Sequence, residues 1–235
     1  MRSITVIMPA FNEEGNIGAT LDEIVPLIAE NFEDFEVLVF NDCSADKTGA
    51  IADAWSAKDP RVKVVHNPVN KGLGYNYRKG VEMASKDYVI MIPGDNEITG
   101  DSFREMFGVL GQKDIVVPYT TNVYIRPLAR QILSKTYTLI INFLFGLNVR
   151  YYNGTVIHKR SIIQPFRIQT DSFSYQTEAL VKLIKSGKTY IETGMVLKPR
   201  GFGESKALRL KNVARVFKSI AKLFFDVHFC RSQAQ

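Results

Sequence analysis

Short apolar runs alternate with amphipathic stretches through the first hundred residues. Residues 4–8, 36–40, 62–65 and 88–92 are β-branched or apolar and end in turn-forming residues, which predicts four strands. After Asn12, read as an N-cap, Ile17, Leu21, Ile24 and Ile28 recur at helical spacing. Residues 46–57 and 73–84 predict two further helices. Strands and helices alternating at this pitch build βαβ units, so the expected class is α/β, a mostly parallel sheet with helices on both faces. Beyond residue 100 the rhythm loosens into a helix over 102–110, a strand over 115–117, a long apolar helix over 127–145, a helix over 171–186 and a strand over 189–196.

Composition removes whole classes. With 235 residues, 46% hydrophobic and 23% charged, the chain suits one folded domain with an appendage and not a disordered segment. Two cysteines, Cys43 and Cys230, exclude a disulfide framework or Cys-based zinc site, and three scattered histidines argue against a His-ligated metal. Met1 and Arg2 lead straight into a strand pattern, so no leader is expected, and the expected compartment is the reducing cytoplasm. The longest apolar stretch, 139–149, is broken by Asn142, Gly146 and Asn148 and reaches only about half of the roughly 20 residues a membrane span needs.

Charge is concentrated. The net +6 equals the six Lys and Arg residues of 205–222, a segment without acids. Within it Leu210, Val213, Phe217, Ile220, Phe224 and Val227 fall at helical spacing, with Arg209, Lys211, Arg215, Lys218 and Lys222 mostly between them. Residues 208–235 are therefore expected to form a basic amphipathic helix lying apolar face down on an anionic membrane surface. A helix packed on the domain, or one holding a membrane-anchored partner subunit, is the alternative. No aromatic-lined groove accompanies the basic residues, so nucleic acid is not an expected partner.

Ligands of open parallel sheets bind beyond the carboxyl ends of the strands. There this chain carries Pro9-Ala10-Phe11-Asn12-Glu13, Asn41-Asp42-Cys43-Ser44 and Pro93-Gly94-Asp95-Asn96-Glu97, with no G-x-G-x-x-G. That excludes a dinucleotide-binding dehydrogenase. Asp95 and Glu97, two apart in extended chain, would point the same way and suit a hard divalent cation; a solvated acidic turn is the other explanation. Asp42 could accept from a nucleobase edge or form an Asx-turn. Glu13 could touch a ligand or merely favour a helix start. Lys71-Gly72-Leu73-Gly74 could admit a phosphate or make a tight turn.

Taken together, these segments and Asn70-Lys71-Gly72-Leu73-Gly74 resemble, in order and spacing, family 2 glycosyltransferases of the GT-A fold, a Rossmann-like nucleotide-diphospho-sugar transferase fold. Pro127-Leu128-Ala129-Arg130-Gln131-Ile132-Leu133-Ser134, Asn153-Gly154, Phe173-Ser174-Tyr175-Gln176-Thr177-Glu178 and Arg200-Gly201-Phe202-Gly203-Glu204-Ser205-Lys206 look like the later motifs of dolichol- or polyprenyl-phosphate sugar synthases. The resemblance implies a transferase domain over 1–207, with 1–100 for the nucleotide sugar and 101–207 for the acceptor. It implies that Pro9, Phe11, Glu13, Asp42 and Gly72 hold the nucleotide, and that Asp95 and Glu97 hold Mg2+ or Mn2+. Arg130, Ser134, Arg200 and Lys206 would hold phosphates of donor and acceptor. Two departures stand out: Pro93 replaces the first acid of the usual Asp-x-Asp, and the Gly-Ser-Arg expected near Pro118-Tyr119-Thr120 is missing, with Arg126 as a stand-in.

Transfer to a sugar hydroxyl requires a general base, which hydroxyl-directed relatives supply as an Asp near the helix carrying residues 173–178. Gln176 stands there, and an amide cannot take a proton. A phosphate monoester is already anionic and needs only positioning. The expected reaction is inverting transfer from a nucleoside-diphosphate sugar to a polyprenyl phosphate, on the cytoplasmic side and at the membrane surface. The rivals are a soluble transferase acting on a glycan hydroxyl, with Asp171 or Glu178 as base, and a non-enzymatic nucleotide-binding module.

Overall fold

The computed structural model describes residues 2–166, 168–199, 201–202 and 210–229. Strands β1 (Ser3–Ala10), β2 (Asp34–Asn41), β3 (Val62–His66), β4 (Tyr88–Met91), β5 (Ile115–Thr120), β6 (Ile157–Lys159) and β7 (Tyr190–Met195) form one sheet in the order β3-β2-β1-β4-β6-β5-β7. β6 runs antiparallel to β4 and β5, and the other pairings are parallel. The helices are α1 (Ile17–Asn31), α2 (Thr48–Lys58), α3 (Leu73–Met83), α4 (Gly100–Gly108), α5 (Leu128–Phe145), the short α6 (Arg160–Ile163), α7 (Tyr175–Lys185) and α8 (Leu210–His228).

Strand alternation distributes the core. Ile4, Val6, Met8, Val37 and Val39 join one cluster with residues of α1, α2 and α4, whereas Ile7, Leu38 and Phe40 join the other with α3, α5, α7 and α8. The central strands are thus buried on both faces, as a parallel sheet between two helical layers requires.

Two expectations change, and one strand is added. The N-cap of α1 is Asn16, not Asn12. Asn12 takes a left-handed backbone (φ 56°), and its Oδ1 accepts from the Ala45 amide at 2.9 Å, tying the loops after β1 and β2 together. α7 begins at Tyr175, four residues after the expected start at 171, because hydroxyls capture the backbone first. Thr170 Oγ1 accepts from the Ser172 amide at 3.1 Å, and Ser172 Oγ from the Ser174 amide at 3.3 Å. β6 has no signature of its own in Ile-His-Lys, and its pairing with two neighbours makes it a strand. Its His158 is fully buried beside the Tyr77 hydroxyl at 3.3 Å, and burial pushes its pKa down to about 3, so the ring is neutral.

The amphipathic stripe of α8 is also reassigned. Ile220 and Leu223 are buried, and Val216, Phe224 and Val227 pack against the same core, with His228 stacking on Phe145. Much of the stripe expected to face a membrane therefore packs on the domain. Phe217, Phe225 and Phe229 remain exposed, at 65%, 59% and 70%. Leu210 and Val213 contribute no described side chains. No helix among the described residues is long and apolar enough to cross a membrane.

A buried carboxylate fixes the amino-terminal edge of the sheet. Burial pushes the Glu36 carboxyl up, but hydrogen bonds from Lys63, Ser85 and Thr5 outweigh it and hold the pKa at about 2, below the ordinary 4.5. Glu36→Ala is expected to cost about 3 kcal/mol, since it strands the Thr5 hydroxyl and the Ser85 donors. Lys63 is 58% exposed and adds little. Because the folded pKa is depressed, this stabilisation is present above about pH 4.5 and is lost as pH falls toward 2. Urea unfolding of both proteins at pH 7 and pH 3 tests this: the gap between them narrows at the lower pH.

Candidate active site

A cavity of about 950 Å3 opens at the carboxyl ends of β1, β2 and β4 and continues between α5 and α8. Pro9, Phe11, Glu13, Asp42, Gly72, Asp95, Glu97, Arg130, Ser134 and Gln176 all line it. Arg200 and Lys206 lie outside the described residues. Six segments separated in sequence thus meet around one space, with acids toward the strand ends and cations on the helical side.

The acidic end is built by loops that brace one another. Asp42 makes no Asx-turn. Its carboxylate accepts from Asn67 Nδ2 and the Lys71 amide, both at 2.8 Å, and from the Gly72 amide at 2.9 Å. Glu13 precedes the first turn of α1, and its Oε2 accepts from Asn16 Nδ2 at 2.6 Å. The same Asn16 amide donates to the Phe202 carbonyl at 3.2 Å, joining this loop to the far end of the chain. Asn96 is left-handed (φ 53°), so Asp95 and Glu97 are not neighbours on an extended chain as the spacing implied; the turn itself brings both to the cavity wall. The chain then pairs back on the segment after β7: the Lys198 amide donates to the Glu97 carbonyl at 2.9 Å, and Ile98 bridges Leu197.

The glycines of 72–74 serve chain packing. Gly72 is left-handed (φ 89°), and a Cβ on Gly74 would stand 2.4 Å from the Thr170 carbonyl oxygen. The backbone of 170–171 therefore rests on this turn and brings the later half of the chain onto the first. Glu178 holds the same segment, accepting from the Gln169 and Thr170 amides at 2.9 and 3.0 Å and from Lys182 Nζ at 2.6 Å. Asp171 pairs with Arg78 at 2.9 Å.

The cationic end is partly unsatisfied. Among the described residues, Gln176 Nε2 has no hydrogen-bond partner, and the side chain is 2% exposed. Arg126 lines the cavity and donates from Nη1 to the Tyr151 hydroxyl at 2.8 Å, while its buried Nε has no partner among them. Buried donors left unpaired are costly, so both suit an acceptor atom that the described residues do not supply. Ser174 and Arg215 also line this end. Sequence gave Arg215 no distinction from the other cations of its basic run, and Ser174 stood out only through its neighbours in the Phe173–Glu178 motif.

The sequence profile described as glycosyl transferase family 2 matches residues 5–170, more than half the chain. The chain belongs to this family. An undecaprenyl-phosphate mannosyltransferase from Micrococcus luteus is 25% identical over 220 residues, covering 88% of this chain and 87% of that protein. A polyprenol monophosphomannose synthase from Mycolicibacterium smegmatis is 26% identical over 214 residues, covering 86% and 79%. Among solved structures, glucosyl-3-phosphoglycerate synthase from Mycobacterium tuberculosis, in complex with Mn2+ and uridine-diphosphate-glucose, superposes with a TM-score of 0.70 at 17% identity. It covers 96% of this chain and 79% of that one. The shared fold is GT-A. In this family 2 transferase the residues expected to hold a nucleotide lie at the carboxyl end of β1 and after β2 and β3, and those expected to hold a metal lie after β4.

Proposed function

We propose that this transferase moves a sugar from a nucleoside-diphosphate sugar to a polyprenyl phosphate, with inversion at the anomeric carbon. The observation that carries the proposal is the composition of the cavity. Its acidic end passes into a cation-lined region with unpaired buried donors, and then into an apolar groove walled by Leu133, Ile140, Ile220 and Phe224. An amphiphile with a phosphate head matches that sequence of surfaces. The names of the two relatives agree with it.

The engagement of the two carboxylates weighed as a base supports the same choice. Glu178 is engaged by two amides and Lys182, and Asp171 is paired with Arg78. Gln176 can donate but cannot accept a proton. Arg126, Arg130 and Ser134 would hold the acceptor phosphate, with Arg200 and Lys206 as further cations from the loop after β7. Pro9, Phe11, Glu13, Asp42 and Gly72 would hold the nucleotide. A phosphate oxygen attacks the anomeric carbon, and the nucleoside diphosphate leaves from the opposite face. One displacement inverts the centre without a covalent enzyme intermediate.

Asp95 and Glu97 fit Mg2+ or Mn2+. They offer hard carboxylate oxygens on one wall, and no group of three or more acids, histidines or cysteines among the described residues forms a closed protein cage. Mg2+ is commonly held this way, by one or two carboxylates plus substrate phosphates. When bound, the ion would neutralise charge on the departing diphosphate.

The membrane surface is the proposed working place. Phe143 on α5 is 88% exposed, and Leu128, Ile132 and Leu139 on the same helix are 69%, 58% and 61% exposed, close in kind to Phe217 and Phe225 of α8 and Phe229 just after it. An apolar area of this kind on a soluble surface marks contact with another apolar phase. Phe143→Glu is expected to lower cosedimentation with phosphatidylglycerol vesicles about tenfold without moving the thermal midpoint, since the side chain touches little of the protein.

Mass spectrometry of the lipid phase tests the reaction. Protein, a short polyprenyl phosphate, Mn2+ and a panel of nucleotide sugars should yield a lipid heavier by one sugar. Transfer to a glycan hydroxyl with none to lipid would overturn the acceptor.

A further inference from the structure

We propose that α8 completes the acceptor-phosphate site, with Arg215 as a direct cation for the phosphate and Ser219 as the residue that positions that turn. This rests on the polyprenyl-phosphate reading and adds to it a role for a helix whose basic residues would otherwise serve a membrane surface.

Among the described side chains of α8, Arg215 lines the cavity while Lys218 and Lys222 do not. The turn carrying Arg215 is fastened to the acceptor loop by hydroxyls. Ser219 Oγ donates to the Arg215 carbonyl at 2.9 Å, so its single proton is committed. It must then accept from Thr170 Oγ1 at 2.9 Å, and it lies 3.3 Å from Ser172 Oγ. With the Thr170 proton given to Ser219, the 2.8 Å contact between Thr170 Oγ1 and Ser172 Oγ is made with Ser172 donating. Ser174, 3% exposed and on the cavity wall, closes this chain of hydroxyls at 2.7 Å from Ser172 Oγ.

The chain of hydroxyls ends beside Gln176, two positions on from Ser174, whose Nε2 is buried without a partner among the described residues. A neutral amide donor and a guanidinium in one region of wall are the complement of a phosphate monoester. The chain of hydroxyls also makes placement of the cation depend on the loop that Glu178 and Gly74 hold. α8 is thereby part of the active site, and the end of its row of charges nearest the loop is set apart from the rest.

Geranyl phosphate in vesicle-free buffer separates a site contact from a general membrane attraction. Calorimetric titration of the intact protein is expected to show a dissociation constant raised tenfold or more in Arg215→Gln and within twofold of wild type in Lys222→Gln. Ser219→Ala should weaken binding about threefold, and Ser219→Thr, which keeps the hydroxyl, should restore it. Nucleotide-sugar affinity should stay constant across the set, which separates this effect from a general loss of folding. Equal weakening by Arg215→Gln and Lys222→Gln, or wild-type binding by Arg215→Gln, would overturn the proposal. Wild-type protein that binds a nucleotide sugar but no geranyl phosphate would instead overturn the acceptor assignment on which it rests.

Discussion

Asp95→Ala is expected to lower sugar transfer about 10³-fold while leaving the fold intact. Charge accumulates on the diphosphate oxygens as the glycosidic bond breaks, and groups fixed in place to meet developing charge contribute most to catalysis. Asp95 and Glu97 are the acids that the turn after β4 presents to the cavity. Pro93 stands where the motif this turn resembles has its first acid and Glu97 where it has Gln, so the charge is shifted along the turn and Asp95 is the acid common to both patterns. Rates with saturating Mn2+ measure the loss, and titration with nucleotide sugar with and without Mn2+ assigns it. The variant should keep a weak affinity that no longer responds to the ion. Undiminished metal dependence in Asp95→Ala would remove these residues from the ion's coordination.

Gly74→Val comes next in expected size. Even a Cβ at this position would stand 2.4 Å from the Thr170 carbonyl oxygen and 2.8 Å from the Asp171 backbone, and backbone cannot yield as a flexible side chain does. The segment 170–171 must shift, loosening the Glu178 bonds, the Arg78–Asp171 pair and the hydroxyl contact to Ser219. Overpacking of this kind costs about 1–3 kcal/mol. A displacement of about 1 Å near reacting groups lowers rates about 10²-fold. The urea midpoint and kcat/KM report the two effects separately, and the rate loss should fall mainly on the acceptor's KM. Unchanged kinetics alongside lowered stability would mean that 170–174 does not shape the acceptor site.

The amino-terminal half was legible because its elements are long, periodic and locally self-sufficient. Ile17, Leu21, Ile24 and Ile28 mark the buried side of α1 by spacing alone, and all four are buried. The turns that carry Asp42, Asp95 and Glu97 follow strands that hydropathy had already located. The motifs then offered candidate site residues, and the ten that are described line one cavity.

Other features depend on contacts between distant segments, which no local pattern encodes. β6 is a strand because β4 and β5 offer it partners. The start of α7 is set by two hydroxyls, those of Thr170 and Ser172, competing for backbone amides. Periodicity identified the apolar face of α8 but could not distinguish a membrane from a protein core, since either removes the same side chains from water. Folding directs Ile220, Leu223 and Phe224 inward and leaves Phe217, Phe225 and Phe229 outside. Gly74 shows the same division most clearly: sequence marks a residue without a side chain, and only the arrival of Thr170 from almost a hundred positions away supplies the steric reason.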